Sequence, residues 1–295
     1  MTKFCTVFTP TYNRGEDLIS LYNSLKAQDL KDFEWIVVDD GSEDNTRKII
    51  ENLSIKENSF EIKYIWQKNG GKHRAINNGI NYSNGKLFFI VDSDDTLESN
   101  AISKIKKYVN SLPNVKDFAG VSGLRKNKDG QIIGNILSKE YIDCTNIERA
   151  KYNLIGDKAE VYFTEILKKY KFPEFEGENF LTECIVWNKI AADGYKIRWF
   201  NEPIYICDYR DNGLSKTLNN LKLKNPKGYL LNIKSDIELL DIKGIKKLAY
   251  IYSYYETVKS IYTKSKIIED LEITYLSLYL AIIAKKTNKF LRIKL

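Results

Sequence analysis

Three carboxylates lie within four residues in the segment Asp92-Ser93-Asp94-Asp95, directly after the apolar run 86–91. Carboxylates crowded this closely repel one another, and removal from water strengthens the repulsion. A divalent cation would relieve it, because Mg²⁺ prefers one or two carboxylates together with phosphate oxygens. The alternative is local, since Asp also initiates turns and caps helices. The spacing therefore predicts either a metal–diphosphate site or a turn.

Apolar runs that alternate with helical patterns surround this cluster. The alternation predicts strands at 4–8, 33–38, 62–66 and 86–91, and helices at 17–27, 44–53, 74–82 and 101–109. It is typical of βαβ units, which build a mostly parallel, Rossmann-like sheet with helices on both faces. Ligands bind beyond the carboxyl ends of the strands in such α/β sheets. Polar clusters follow the four predicted strands and should meet at one edge, at 9–13, 39–42, 69–73 and 92–95.

The second half of the chain is less regular. Its patterns predict strands at 116–124 and 196–200, a helix at 179–192, and three helices from 229 onward. A hinge is expected at 225–228, where Pro and Gly lie close together. We therefore expect a catalytic domain over 1–220 and a helical region over 221–295.

Composition narrows the class of protein. The chain has 295 residues and a net charge of +7, which suits acidic partners such as nucleotide phosphates or an anionic membrane face. The lysines are scattered and no nucleic-acid-binding motif occurs, so no nucleic-acid partner is expected. Four cysteines without metal-binding spacing, no signal-peptide pattern and no apolar run of spanning length together predict a cytoplasmic protein.

Four segments occurring together resemble the family 2 glycosyltransferases of the GT-A fold. They follow the family's order and separations, and they are 9–14, 37–42, 69–77 and 92–95. The resemblance covers about residues 3–210. It implies an inverting enzyme of bacterial surface-glycan assembly that uses Mn²⁺ or Mg²⁺. Such an enzyme moves a sugar from a UDP-sugar to a hydroxyl of a glycan or lipid-linked glycan acceptor.

The resemblance also implies how the nucleotide is held. Tyr12 would stack on the uracil ring, and Asp40 would accept a hydrogen bond from uracil N3–H. The alternative for Asp40 is an N-cap of the helix predicted at 44. Asp39 is expected to organise the turn with Gly41 and Ser42. The implied nucleotide-binding set is Pro10, Thr11, Tyr12, Arg14, Asp40, Lys72, Asp92 and Ser93.

By the same resemblance, the acidic cluster divides its roles. Asp94 would ligate the metal, Asp92 would contact the metal or the ribose, and Asp95 would either ligate or orient its neighbours. The metal would neutralise the departing diphosphate.

Two further segments are expected near the diphosphate or the donor sugar. Gly71 and His73 belong to the glycine loop, where Lys72 is either a phosphate ligand or a solvated lysine. His73 is the only histidine and is not assigned as a base. Arg210 and Ser215 would approach from a closing loop, with a plain surface turn at 211–213 as the alternative.

An inverting transferase also needs a general base for the acceptor hydroxyl. The resemblance places it at Glu183, four residues before Trp187, with Glu178 as the runner-up. The family's usual Glu-Asp pair is Thr182-Glu183 here, so the assignment departs from the pattern. Both acids also suit a helix N-terminus through the macrodipole alone.

The C-terminal region leaves its partner open. Residues 271–284 are apolar with few breaks, and a basic tail follows them. The pattern suits packing or homodimerisation, or else peripheral contact with an anionic membrane at the inner face of the plasma membrane. Two other functions also remain open. They are a nucleotidyltransferase on a related scaffold and a non-catalytic nucleotide- or glycan-binding subunit.

Overall fold

The computed structural model describes residues 2–207 and 218–287. Arg210 and Ser215 lie outside the described residues, so their predicted roles stay predictions. Contacts divide the chain into two compact units. The first holds Met1–Pro173 and Ile190–Arg210, and the second holds Glu174–Lys189 and Asp211–Leu295.

The first half of the chain forms the predicted βαβ alternation. The strands are β1 (Lys3–Thr11), β2 (Phe33–Asp39), β3 (Glu61–Trp66) and β4 (Gly85–Ile90). The helices are α1 (Gly15–Lys26), α2 (Thr46–Lys56), α3 (Lys72–Tyr82) and α4 (Ala101–Asn110). The strands pair in parallel in the order β3-β2-β1-β4. This half of the sheet is parallel, as the sequence predicts.

The remaining strands make the sheet mixed rather than mostly parallel. They are β5 (Thr96–Leu97), β6 (Phe118–Asn127), β7 (Tyr141–Cys144), β8 (Lys158–Phe163) and β9 (Lys196–Cys207). The order continues β4-β8-β6-β9-β5, with β7 on β9. Strand β8 is antiparallel to both of its neighbours, β4 and β6. The short helix α5 (Thr164–Leu167) follows β8.

Strand β2 lies between β3 and β1 and is buried along its whole length. All seven of its residues are buried, including Trp35 and the acidic Glu34. The Glu34 carboxylate is satisfied by hydrogen bonds from Lys63 Nζ at 2.7 Å and Thr6 Oγ1 at 2.6 Å. A buried charge persists only when it is paired and hydrogen-bonded in this way. Strand β2 is thereby fixed to both of its neighbours, β1 and β3.

Residues 218–287 of the second unit are mostly helical. Their helices are α7 (Leu218–Lys224), α8 (Pro226–Leu239), α9 (Gly244–Val258), α10 (Lys264–Leu271) and α11 (Tyr275–Lys286). Helices α8 to α11 share a buried core that includes Ile233, Ile251, Val258, Ile267 and Leu278. Across the described residues, no helix combines the length and apolar character needed to span a bilayer.

Three local predictions for this region are wrong. The expected hinge is the start of a helix, because Pro226 lies in the first turn of α8, where its missing N–H has no cost. Four helices, α8 to α11, replace the predicted three in the described residues, because Glu272 adopts φ 54° and divides the apolar run 271–284 between α10 and α11. The helix predicted from residue 179 begins only at Cys184 and ends at Ala192, as α6.

Candidate active site

The loops that follow the four parallel strands are joined by backbone hydrogen bonds. The Asp40 N–H donates to Thr11 O at 2.8 Å, and the Gln67 N–H donates to Asp39 O at 2.9 Å. The Val91 N–H donates to Phe8 O at 2.8 Å. The carboxyl ends of β1, β2, β3 and β4 therefore make one continuous surface, which is where parallel α/β sheets bind ligands.

The loop after β1 presents the aromatic ring of Tyr12 and the guanidinium group of Arg14. Tyr12 is 49% exposed, so its ring is accessible for stacking. Asn13 holds the loop in place: it adopts φ 51°, its N–H donates to Ser42 Oγ at 2.8 Å, and its Oδ1 accepts from the Glu43 N–H at 2.8 Å. The preceding Thr11 keeps a buried Oγ1 that has no hydrogen-bond partner within the described residues.

The two aspartates after β2 have different partners. Asp39 Oδ1 accepts from the Ser42 N–H at 2.7 Å, and its Oδ2 accepts from the Tyr64 hydroxyl at 2.6 Å. The expectation that Asp39 organises the turn is confirmed. Gly41 permits the turn with φ 86°, where a Cβ would lie 2.8 Å from Asn69 N.

Asp40 is buried and fixes the glycine loop. Its Oδ1 accepts from Gln67 Nε2 at 2.6 Å and from the Gly70 N–H at 2.8 Å, and its Oδ2 accepts from the Gly71 N–H at 2.7 Å. A carboxylate can accept about four hydrogen bonds, so Oδ2 keeps capacity for one more. Asp40 does not cap α2, because Asp44 accepts from the Thr46 N–H at 2.9 Å at the start of that helix.

The glycine loop opens α3 and places a lysine beside the acidic cluster. Gly71 precedes the helix with φ 94°, a conformation that favours glycine. Lys72 Nζ lies 2.7 Å from Asp92 Oδ1. His73 is 3% exposed and faces the interior.

Two of the three clustered carboxylates are paired with cations. Besides the Lys72–Asp92 pair, Arg14 Nη1 lies 2.5 Å from Asp94 Oδ2. Burial acts to raise the pKa of Asp92, but the Lys72 ammonium, with the Arg125 and Arg14 guanidinium groups, holds that pKa below its ordinary value. These pairs bring positive charge from two other loops to the acidic turn.

The third carboxylate, Asp95, is buried and orients a neighbour. Its Oδ2 accepts from the Tyr205 hydroxyl at 2.7 Å, and the same hydroxyl accepts from the Asp92 N–H at 3.0 Å. The Arg125 guanidinium stacks on the Tyr205 ring at 4.4 Å. Sequence reasoning missed Tyr205 and Arg125. Tyr205 on β9 lies 110 residues from Asp95, and Arg125 on β6 contacts the Tyr205 ring, so neither leaves a local signal near the acidic turn.

The acidic turn suits a divalent metal that also binds phosphate. No group of three or more His, Cys, Asp or Glu side chains positioned to hold a metal occurs in 2–207 and 218–287. Asp92 and Asp94 supply two hard oxygen donors, and Ser93 lies buried between them. Because Mg²⁺ and similar ions take one or two protein carboxylates and complete their shell with phosphates and water, this donor set fits.

The two candidate bases lie in the second unit. Glu178 is 7% exposed and caps α8, with its Oε1 accepting from the Lys227 N–H and its Oε2 from the Gly228 N–H, both at 2.8 Å. In return, Asn225 Oδ1 accepts from the N–H groups of Asn179 and Phe180 at 2.7 and 3.0 Å. We name this reciprocal set of bonds the clasp. It gives Glu178 a structural task.

Glu183 is half-buried and lies directly before α6. Its carbonyl accepts from the N–H groups of Val186 and Trp187 at 3.0 and 3.2 Å, so it marks the start of the helix.

Its two neighbours share one amide oxygen. Asn232 Oδ1 accepts from Thr182 Oγ1 at 3.0 Å and from Cys184 Sγ at 3.2 Å. Asn232 Nδ2 donates to Asp236 at 3.4 Å, and burial raises the pKa of Asp236 to about 6. Asn232 therefore holds the side chains on both sides of Glu183, and no sequence pattern pointed to it.

The parallel half of the sheet, its flanking helices and the loops at the carboxyl ends of its strands define a protein of the GT-A fold. A sequence model described as Glycosyl transferase family 2 matches residues 6–167, which is more than half of the chain. The chain belongs to glycosyl transferase family 2, and it is a glycosyltransferase.

Individual relatives agree with this assignment. The chain is 34% identical over 231 residues to "Glycosyltransferase GlyG" of Streptococcus pneumoniae, covering 74% of each protein. It is 36% identical over 190 residues to "GalNAc(5)-diNAcBac-PP-undecaprenol beta-1,3-glucosyltransferase" of Campylobacter jejuni, covering 62% of this chain and 58% of that protein. Among solved structures, S. aureus TarS 1-349 in complex with UDP-GlcNAc has a TM-score of 0.62 at 21% identity. That match covers 95% of this chain and 79% of TarS 1-349, and it supports the fold alone.

Proposed function

We propose that this protein is an inverting glycosyltransferase that moves a sugar from a UDP-sugar to a hydroxyl of a bacterial glycan. The proposal rests above all on one observation. The carboxyl edge of the parallel strands carries the exposed Tyr12 ring, the Asp40 carboxylate, and an acidic turn paired with Lys72 and Arg14. An aromatic face, an acceptor and paired charges are the groups that a nucleoside diphosphate requires.

The uracil base would be recognised by two residues. Its ring would stack on Tyr12, and its N3–H would donate to the remaining acceptor position of Asp40 Oδ2. Cytosine has no N3 proton, so this contact favours UDP over CDP. Two structures of the same fold, TarS 1-349 with UDP-GlcNAc and with UDP, motivate the choice of a uridine nucleotide.

The diphosphate would be held by cations and by the acidic turn. Lys72 and Arg14 would exchange their present partners for phosphate oxygens, while Asp92 and Asp94 would hold Mn²⁺ or Mg²⁺. When bound, the metal supplies positive charge to the leaving diphosphate. The mannosyltransferase PcManGT of Pyrobaculum calidifontis, a similar structure with a TM-score of 0.56, was solved with GDP-Man and Mn²⁺ and supports this choice.

The acceptor hydroxyl would be deprotonated by Glu183 as its oxygen attacks the anomeric carbon from the face opposite the diphosphate. Glu178 already serves α8 as its cap, which favours Glu183. Inversion would turn an α-linked donor into a β-linked product. The relative from Campylobacter jejuni, named for an undecaprenol-linked glycan, supports a lipid-linked acceptor.

Substitution of Glu183 tests the base assignment. With a UDP-sugar, Mn²⁺ and acceptor, Glu183→Gln should lower kcat for transfer by about 10²- to 10⁴-fold, the usual contribution of a general base. Its affinity for UDP should be unchanged, because Glu183 is assigned no contact with the nucleotide. UDP release with and without acceptor, together with UDP titration, measures both quantities.

Glu178→Gln is the matched control. The amide has one acceptor oxygen for two α8 N–H groups, so this variant should lower the thermal midpoint and keep most of kcat. Near-normal transfer by Glu183→Gln would exclude it as the base. No UDP release with any donor, metal or acceptor would refute the proposed function itself.

A further inference from the structure

Helix α11 carries an apolar surface that the described residues of its own unit leave exposed. Leu278, Ala281 and Ala284 are buried and face the helical core. The opposite side, which we name the outer face, is 38–66% exposed and consists of Tyr275, Leu276, Tyr279, Leu280 and Ile283. These positions follow helical spacing over more than two turns, so they form one stripe. A continuous apolar stripe of this kind usually marks an interaction surface.

A group of lysines borders one end of the outer face. Ala284 of α11 packs with Ala249 of α9 in a small buried cluster. Beyond this contact, Lys285 and Lys286 are exposed in the last turn of α11, and Lys246 and Lys247 are exposed in the first turn of α9. We name these four residues the basic end. Helix α11 itself contains no acidic residue.

The combination of these two features suits one kind of partner. An interfacial helix buries an apolar face at the boundary between lipid headgroups and acyl chains, with lysines on the headgroup side. Tyr275 and Tyr279 add rings with a polar hydroxyl, which are favoured at that boundary. At 12 residues, α11 is too short to span a bilayer, so it would lie in the interface.

We propose that the outer face and the basic end dock this protein on an anionic lipid bilayer. The occupant is the lipid surface rather than a second copy of the chain, because a basic end would repel its own copy and attract anionic headgroups. This docking is independent of the donor and of the base assigned above.

Flotation with vesicles tests the docking. The full chain is mixed with vesicles of equal parts phosphatidylglycerol and phosphatidylcholine, or of phosphatidylcholine alone, at low and high salt. We expect binding to the anionic vesicles that weakens with salt, because Debye screening shortens the reach of the lysines. Each lysine near such a surface contributes roughly fivefold, so Lys285→Gln with Lys286→Gln should weaken binding roughly 25-fold.

Substitutions on the outer face test the apolar contribution. Leu276→Ser and Leu280→Ser should each weaken vesicle binding roughly tenfold or more, because each removes a leucine side chain from the outer face, which the lipid would bury. Both side chains are exposed, so the fold should be retained, as thermal midpoints would verify. Matched controls lie on α2, where Ile55 is 80% exposed and Lys48 and Lys56 are exposed. Ile55→Ser, and Lys48→Gln with Lys56→Gln, should leave vesicle binding unchanged.

Three outcomes would overturn the docking. The first is equal binding to both kinds of vesicle, and the second is equal losses in the α2 controls. The third is that the unsubstituted protein binds no vesicles and is a dimer by light scattering, and that Leu276→Ser dissociates this dimer. The outer face would then be covered by a second copy of the chain. UDP release from the same variants with a soluble acceptor should match the unsubstituted protein. A failure of the docking and a failure of the glycosyltransferase proposal would therefore be distinguishable.

Discussion

Asp40→Asn should change both the stability of the protein and its choice of nucleotide base. The carboxylate accepts from three donors in the loop after β3, namely Gln67, Gly70 and Gly71. An amide offers one oxygen in place of two. The better orientation keeps the oxygen at Gln67 and Gly70 and turns the new NH₂ toward the Gly71 N–H. Two donors then face each other in a buried position.

The size of the effect follows from this single lost acceptor. A buried donor left without a partner costs about 1–3 kcal/mol, and more when the lost acceptor was charged. For a unit of this size, about 1 kcal/mol lowers the thermal midpoint by roughly 2–4 °C, so a fall of several degrees is expected. Asp39→Asn is the matched control. Its oxygen can still accept from the Ser42 N–H while the Tyr64 hydroxyl turns to accept from the amide.

The change in base preference is the sharper measurement. The NH₂ replaces Oδ2, the atom expected to accept from uracil N3–H, and it can donate to N3 of cytosine instead. Loss of a hydrogen bond to a charged group weakens binding by about 10- to 100-fold, so the preference for UDP over CDP should shrink or reverse. Calorimetric titration of both nucleotides with Mn²⁺ measures it. An unchanged UDP-to-CDP ratio in a destabilised Asp40→Asn would refute base recognition and leave Asp40 a loop anchor.

Three further results are expected. Lys72→Met should weaken UDP binding about 10- to 100-fold and leave uridine binding unchanged, and equal losses for both ligands would exclude a phosphate contact. Asn232→Ala should lower kcat more than it raises KM, because it loosens both neighbours of Glu183; a normal kcat would exclude a positioning role. Burial acts to raise the pKa of Glu34, but bonds from Lys63, Thr6 and Asn84 hold it below its ordinary 4.5. Its contribution to stability is therefore complete above that value and lost as the pH falls through the lower folded pKa. Glu34→Gln should flatten acid unfolding followed by circular dichroism, and an unchanged acid profile would contradict this origin.

The parallel half of the fold could be predicted because each strand is a short apolar run that ends in a polar cluster. All seven residues of β2 are buried, which is typical of a strand inside a parallel sheet. Strand β8 escaped prediction because its sequence begins with the buried Lys158 and includes Glu160, which break the apolar pattern. Lys158 Nζ donates to the carbonyl groups of Asn135 and Ile155. Both of these residues lie in irregular segments, which no periodic pattern marks.

The candidate site shows the same limit. The acidic turn, the glycine loop and Tyr12 are visible in sequence because each follows its own strand directly. Their supports are not visible, since Tyr205 reaches Asp95 from another part of the chain. The division of one apolar run at Glu272 also lacked a signal, because a non-glycine residue adopts the left-handed conformation there.

The clasp between Glu178 and α8 has a consequence for how this protein can be divided or recombined. Removing the chain from Asn225 onward would delete the acceptor of the Asn179 and Phe180 N–H groups, and it would strand the buried Glu178 carboxylate. The segment that leads to Glu183 and the C-terminal helices therefore depend on each other for their hydrogen bonds and form one structural module. A chimera should exchange them together, since a junction between them would disable transfer even if every residue of the sheet edge were kept.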